Sequence, residues 1–104
     1  MKIIYDYQGR PVRLTEERLV HILDHPEMAG MASAIEETVA HPERVVQSRS
    51  DDAARLYYRF YPTTRAGGKF VCVVVKAGPA DSFLLTAYLT DKIKKGKPLW
   101  NAST

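Results

Sequence analysis

Six consecutive apolar residues, Phe70 to Val75, most constrain what this chain can fold into. A strand with one wet face alternates apolar and polar residues, whereas an unbroken apolar run needs cover on both faces. The run is therefore expected to be the central strand of a sheet, ending at Lys76. It is far too short to cross a membrane, which takes about 20 apolar residues in a helix. Its thiol, Cys72, is the one cysteine of the chain. Without a disulfide partner it reads as a small buried hydrophobe in a reducing compartment, and a cytoplasmic location is expected. Catalysis by Cys72 is disfavoured, because a reactive thiolate wants an exposed electropositive site.

Other segments supply neighbours for that strand. Lys2 to Tyr7 is rich in β-formers and reads as a first strand, followed by a turn at Gln8-Gly9-Arg10-Pro11. Arg44 to Ser50, Leu56 to Tyr61 and Ser82 to Thr90 read as further strands. Short turn-forming stretches join them. Between the first strand and the rest lie two helices. Thr15, then Glu16, Glu17 and Arg18, is a helix start, with a hydroxyl cap and acids in the first turn. Pro26 disfavours helical dihedrals at His25 and should end that helix. Met28, Met31, Ala32, Ile35 and Val39 recur at helical spacing, which predicts a second helix over 28–40. His41, before Pro42, reads as a helix-end residue.

The expected order is β-α-α-β-β-β-β. Strands joined by short connections pair antiparallel. The expectation is one α+β domain over residues 1–100: one N-terminal strand, two helices on one sheet face, and a four-stranded antiparallel meander. Asp91 to Trp100 reads as a lysine-rich tail that makes a helical turn or wraps the sheet, with residues 101–104 frayed. No secretory signal precedes the first strand.

The first helix concentrates the titratable groups. At about 100° per residue, Leu19, Ile22 and Leu23 form a core stripe, with Arg18, His21 and His25 together beside it. A histidine at a helix edge is commonly just a solvated cation near the dipole's negative end. Two with an arginine on one flank make the arrangement an acid–base candidate. The i, i+4 spacing of His21 and His25 also suits two ligands of one metal ion, but zinc needs more. Only His41, Glu27 and Asp24 are nearby candidates, so no metal and no cofactor is expected.

The chain carries a formal charge of +3, unevenly divided. Residues 1–54 hold a net −4 and residues 55–104 a net +7. A basic half favours an anionic partner, nucleic acid above all, although solvated lysines would look the same. Strict alternation puts Phe83, Leu85, Ala87 and Leu89 on a buried face of the last strand, and Leu84, Thr86, Tyr88 and Thr90 on the other. An open face carrying Tyr57, Arg59, Tyr61, Thr86 and Tyr88 would suit single-stranded RNA, with aromatics for bases and arginine for phosphate. Ordinary cross-strand pairing on a wet sheet would use the same residue types.

Four segments resemble a known group. They are Arg18–Glu27 (RLVHILDHPE), Glu36–Val46 (EETVAHPERVV), Tyr57-Tyr58 and Thr86-Ala87-Tyr88. Together they resemble the phage-associated nuclease families of the barnase–EndoU–colicin–RelE (BECR) superfamily, over most of residues 15–95. The resemblance implies a small α+β RNase of toxin type, with helices preceding an antiparallel sheet as in RelE and barnase. It implies that His21 and His25 match the family's helix histidines and Thr86 its last-strand hydroxyl, as catalytic residues. Arg18, Arg59, Lys76, Tyr58, Tyr88 and Lys92 would then contact phosphate or RNA. Partners implied are RNA, free or on the ribosome, and an antitoxin protein. The alternative is a non-catalytic RNA- or protein-binding module of the same fold, which some members of the superfamily are.

Overall fold

A computed structural model of the 104-residue chain describes residues 1–102. The elements are β1 (Lys2–Tyr5), β2 (Pro11–Leu14), α1 (Glu16–Leu23), a 3-10 turn (Pro26–Met28), α2 (Ala32–Ala40), β3 (Arg44–Gln47), β4 (Ala54–Tyr61), β5 (Lys69–Ala77), β6 (Ser82–Thr90) and β7 (Lys97–Asn101). The strands form one seven-stranded sheet in the order β1-β2-β6-β5-β4-β3-β7. The β2–β6 pair is parallel, through Arg13 opposite Phe83, and the other pairs are antiparallel.

This corrects the expected architecture of one strand, two helices and a four-stranded antiparallel meander. The sheet is mixed and is larger at both ends. Residues 11–14 are a strand, making β1 half of a hairpin, and residues 97–101 are a strand rather than a tail. Both are short and begin with or contain proline, which sheets tolerate at strand starts and edges. Four or five residues carry too little alternation to stand out from a turn or tail. Of the expected frayed end, Asn101 closes β7, while Ser103 and Thr104 lie outside the described residues. The second helix is also shorter than its periodicity predicts. Gly30 sits at φ +77°, a left-handed conformation that interrupts the helix before Ala32.

The helices lie on one face of the sheet. There Ile22, Met28, Ile35 and Val39 pack against Val45, Tyr57, Val71, Val73, Val75, Leu84 and Ala87. The hairpin adds Ile4, Val12 and Leu14 to the same core. Its tip reaches across the helix-side face: the Tyr57 hydroxyl on β4 donates to Asp6, and Tyr7 stacks on Trp100 of β7. The second face is a smaller cluster of Val46, Ala54, Leu56, Tyr58, Cys72 and Val74. Phe70, Leu85, Tyr88 and Ile93 cover it in part. β5 is thus buried from both sides, which is why its run has no polar interruption.

One irregularity re-aims β6. Val75 pairs with Leu84 but Val74 pairs with Thr86, leaving Leu85 as an extra residue. This β-bulge breaks the expected alternation. Leu84 and Ala87 both enter the helix-side core, and Leu85 packs with the second cluster. Among the described residues no helix is long and apolar enough to cross a membrane.

Candidate functional site

Helix α1 is fixed at both ends by local chemistry. The Thr15 hydroxyl accepts from Arg18 N at 3.1 Å, satisfying one of the free donors of the first turn. His25, before Pro26, is extended at φ −69° and ψ 127°, so the helix stops ahead of it. Ile22 is 1% exposed in the core, with Leu19 and Leu23 half-buried around it. Arg18, Val20, His21, Asp24 and His25 remain exposed.

The two imidazoles stand edge to face, with ring centroids 6.2 Å apart and planes at 83°. His21 and Arg18 line an open groove of about 690 Å³ with Thr15, Glu17, Val20 and Asp24. A smaller hollow of about 150 Å³ shares Thr15 and Arg18 and extends the trough to Arg13, Phe83 and Leu84. Arg13 is held by Asp81 through three bonds, Nε to Oδ1 at 2.9 Å, Nε to Oδ2 at 3.2 Å and Nη2 to Oδ2 at 2.6 Å. Its guanidinium lies 5.9 Å from the centre of the Phe83 ring. The site therefore combines two imidazoles with a cation. Among the described residues, no three His, Cys, Asp or Glu side chains cluster as a metal site would require.

The remaining residues expected at the site are elsewhere. Thr86 pairs with Val74 and faces the second cluster, so the full sheet separates it from His21 and His25. Lys76 shares that second face and is paired with Asp51. Tyr58 is fully buried there, and its hydroxyl accepts from Lys94 N at 3.1 Å. Burial pushes the Tyr58 hydroxyl pKa well above its ordinary value. Tyr88 is half-buried, with its pKa raised by burial and by the Cys72 thiol, and Lys94 Nζ lies 5.8 Å from its ring. Lys92 is exposed on the connection after β6, its amide donating to Thr90 Oγ1 at 3.3 Å.

The open RNA-binding face expected of Tyr57, Arg59, Tyr61, Thr86 and Tyr88 does not form. Register puts Tyr57, Arg59 and Tyr61 opposite Val73, Val71 and Lys69 on the helix side, away from Thr86 and Tyr88. Tyr57 is buried, donating to Asp6 Oδ2 at 2.8 Å and accepting from Arg55 Nε at 3.0 Å. Tyr61 donates to Glu37 Oε1 at 2.5 Å, and burial with that carboxylate pushes its pKa up to about 12. Arg59 donates from Nη1 to the His41 carbonyl at 2.8 Å, and its Nε lies 3.5 Å from Glu37.

Asp6, which sequence reasoning passed over, gathers a group of residues at the hairpin tip. Asp6 accepts from Gln8 N, Arg10 N, Arg10 Nε and the Tyr57 hydroxyl, at 2.8 to 3.0 Å. Burial alone would raise the Asp6 pKa, but these donors together hold it below the ordinary carboxylate value. Beside it, Tyr7, Gln8, His41, Glu43, Arg59 and Trp100 line a groove of about 590 Å³. An aspartate three residues before Gly9, at the first position of a turn, was the available signal for Asp6. Tyr7 and Trp100 lie at opposite ends of the chain and meet only through the sheet. Comparison with protein-family models, with curated proteins and with solved structures finds no match to this chain.

Proposed function

We propose that the α1 flank is the catalytic centre of a metal-independent endoribonuclease of toxin type. The observation that carries this reading is the pair of exposed imidazoles 6.2 Å apart beside Arg18. A phosphate seated beside the two rings on the solvent side would meet one imidazole as proton acceptor and the other as proton donor. One histidine takes the proton of the ribose 2′-hydroxyl as its oxygen attacks phosphorus. The other gives a proton to the departing 5′-oxygen. The P–O2′ bond forms, the P–O5′ bond breaks, and the products are a 2′,3′-cyclic phosphate and a 5′-hydroxyl. Arg18 offsets the charge that builds on the phosphorane oxygens. Thr86 has no part in this mechanism, because it lies across the sheet.

The test is RNA cleavage with EDTA present, by wild type and by a His21→Ala, His25→Ala double variant of confirmed fold. Cyclic-phosphate product from the wild type alone supports the reading. No cleavage of total RNA or of ribosome-bound RNA by wild type rejects it. A non-catalytic binding module is the second reading. It is favoured by the segment that carries exposed Lys92, Lys94 and Lys95 along the second sheet face into β7. It calls for salt-sensitive RNA binding without product.

A further inference from the structure

The groove at the hairpin tip is built differently from the histidine trough and lies at the other end of the sheet. Four parts of the fold form it: the β1–β2 tip (Tyr7, Gln8), the α2–β3 connection (His41, Glu43), β4 (Arg59) and β7 (Trp100). Its volume of about 590 Å³ falls in the roughly 300–1,000 Å³ range of small-molecule sites. We propose that it binds a nucleotide, with the base against Trp100 and the phosphate toward Arg59 and His41.

The aromatic side is preorganised. Trp100 stacks on Tyr7 with centroids 4.8 Å apart and planes at 38°. Tyr7 in turn meets the Tyr57 ring edge-on at 6.2 Å, and Tyr57 is tied to Asp6. The Arg10 guanidinium also lies over Tyr7, 5.8 Å from its ring centre. A half-buried indole held this way offers a flat face at little entropic cost. Bases stack on such faces whatever their sequence.

The polar side is fixed as well. Arg59 is anchored by the His41 carbonyl and by Glu37, and only 32% of its side chain is exposed. The exposed imidazole of His41 lies on the same wall. Glu43 accepts from Phe60 N at 3.0 Å, which holds its carboxylate beside them. Glu37 and Glu43 offset the positive charge of Arg59, so an inorganic anion gains little here. The groove therefore selects a base joined to a phosphate over phosphate alone. This assignment is independent of cleavage at α1.

Trp100 is the single tryptophan of the chain, so its fluorescence reports this groove directly. The full chain is titrated with adenosine 5′-monophosphate, with a short single-stranded deoxyadenosine oligonucleotide, and with inorganic phosphate. The oligonucleotide lacks the 2′-hydroxyl and cannot be cleaved. Saturable quenching by the nucleotide or the oligonucleotide, and none by phosphate, is the expected result. Oligonucleotide binding about tenfold tighter identifies a strand as the natural source, and equal binding identifies a free nucleotide. Arg59→Ala and the exposed His41→Ala should each weaken binding by about tenfold through loss of a charge-assisted contact. The His21→Ala, His25→Ala double variant should bind as wild type does, which separates this site from the cleavage reading. No saturable quenching by either ligand, or quenching that His41→Ala and Arg59→Ala both leave intact, overturns the assignment.

Discussion

The Tyr57 hydroxyl and the Asp6 carboxylate meet at 2.8 Å across 51 residues of sequence. This bond ties the centre of the sheet to the tip of the N-terminal hairpin. The Asp6 side chain is fully buried against Arg10, and its oxygens also accept two backbone amides. Removing the carboxylate strands the donors aimed at it. Arg10 keeps 39% of its side chain exposed and can be rehydrated, so Asp6→Ala should destabilise the fold by about 1–3 kcal/mol, the cost of leaving buried donors unsatisfied. Urea unfolding followed by circular dichroism would measure it. A loss under about 1 kcal/mol, the level of an exposed pair, would mean that the hairpin tip is not anchored here.

The same carboxylate makes stability depend on acid. The folded pKa of Asp6 lies below its ordinary 3.8. The unfolded chain therefore binds a proton first as pH falls. The stabilisation is complete above 3.8 and is lost as pH drops through the lower, folded value. Unfolding free energy measured from neutral pH downward should show this loss in the wild type. Asp6→Asn should flatten the corresponding part of the curve. Equal acid slopes in the two proteins would remove Asp6 from the acid limb.

At the alkaline end the sign reverses. Burial, with the Asp6 carboxylate beside it, pushes the Tyr57 pKa from 10.0 up to about 12. The folded state holds the phenol proton more tightly than the unfolded state does. Its contribution is complete below 10.0 and fades as pH rises toward about 12. Phenolate absorbance should show a late-ionising component that Tyr57→Phe reduces. Tyr61, also raised to about 12, should keep part of that component in the variant.

Adjacent residues of α1 should separate stability from activity. Ile22 is 1% exposed, so Ile22→Ala should cost about 2–5 kcal/mol through the cavity it leaves. His21 and His25 are exposed, and substituting either should change stability by no more than about 0.5 kcal/mol. On the proposed mechanism, losing either imidazole should lower kcat by roughly 10²–10⁴. Thr86→Ala, across the sheet, should leave cleavage unchanged. Equal loss from Thr86→Ala and His21→Ala would put the chemistry on a different surface.

Legibility followed the range of the interactions involved. The cap at Thr15, the stop at Pro26 and the two-sided burial of β5 are written in neighbouring residues, where sterics and local hydrogen bonds decide. The strands Pro11–Leu14 and Lys97–Asn101 depend on partners far along the chain, and their prolines and lysines read locally as turn and tail. The histidine pair was legible because helical spacing alone brings His21 and His25 together. Grouping Arg59 with Thr86 failed because face assignment needs the register between strands, and register is a tertiary property. Tyr7 and Trp100 meet only when the hairpin crosses the helix-side face, which no local pattern encodes.

The bulge at Leu85 shows how a strand absorbs one extra residue. Val75 pairs with Leu84 and Val74 with Thr86, so both Leu84 and Ala87 point to the helix-side core. Deleting Leu85 would make the alternation regular. Leu84 would still pair with Val75 and Thr86 with Val74, so Leu84 would keep its place in the helix-side core and Phe83 its place opposite Arg13. The bulge thus reconciles an extra residue with a fixed register, and its deletion removes only the half-buried Leu85 side chain and the local bend of β6. Deleting Leu85 and Leu85→Ala should therefore cost the same to within about 1 kcal/mol. Thermal unfolding of the two variants side by side would test this. A deletion variant several-fold more destabilised than Leu85→Ala would show that the bend itself, and not only its side chain, holds β6 in place.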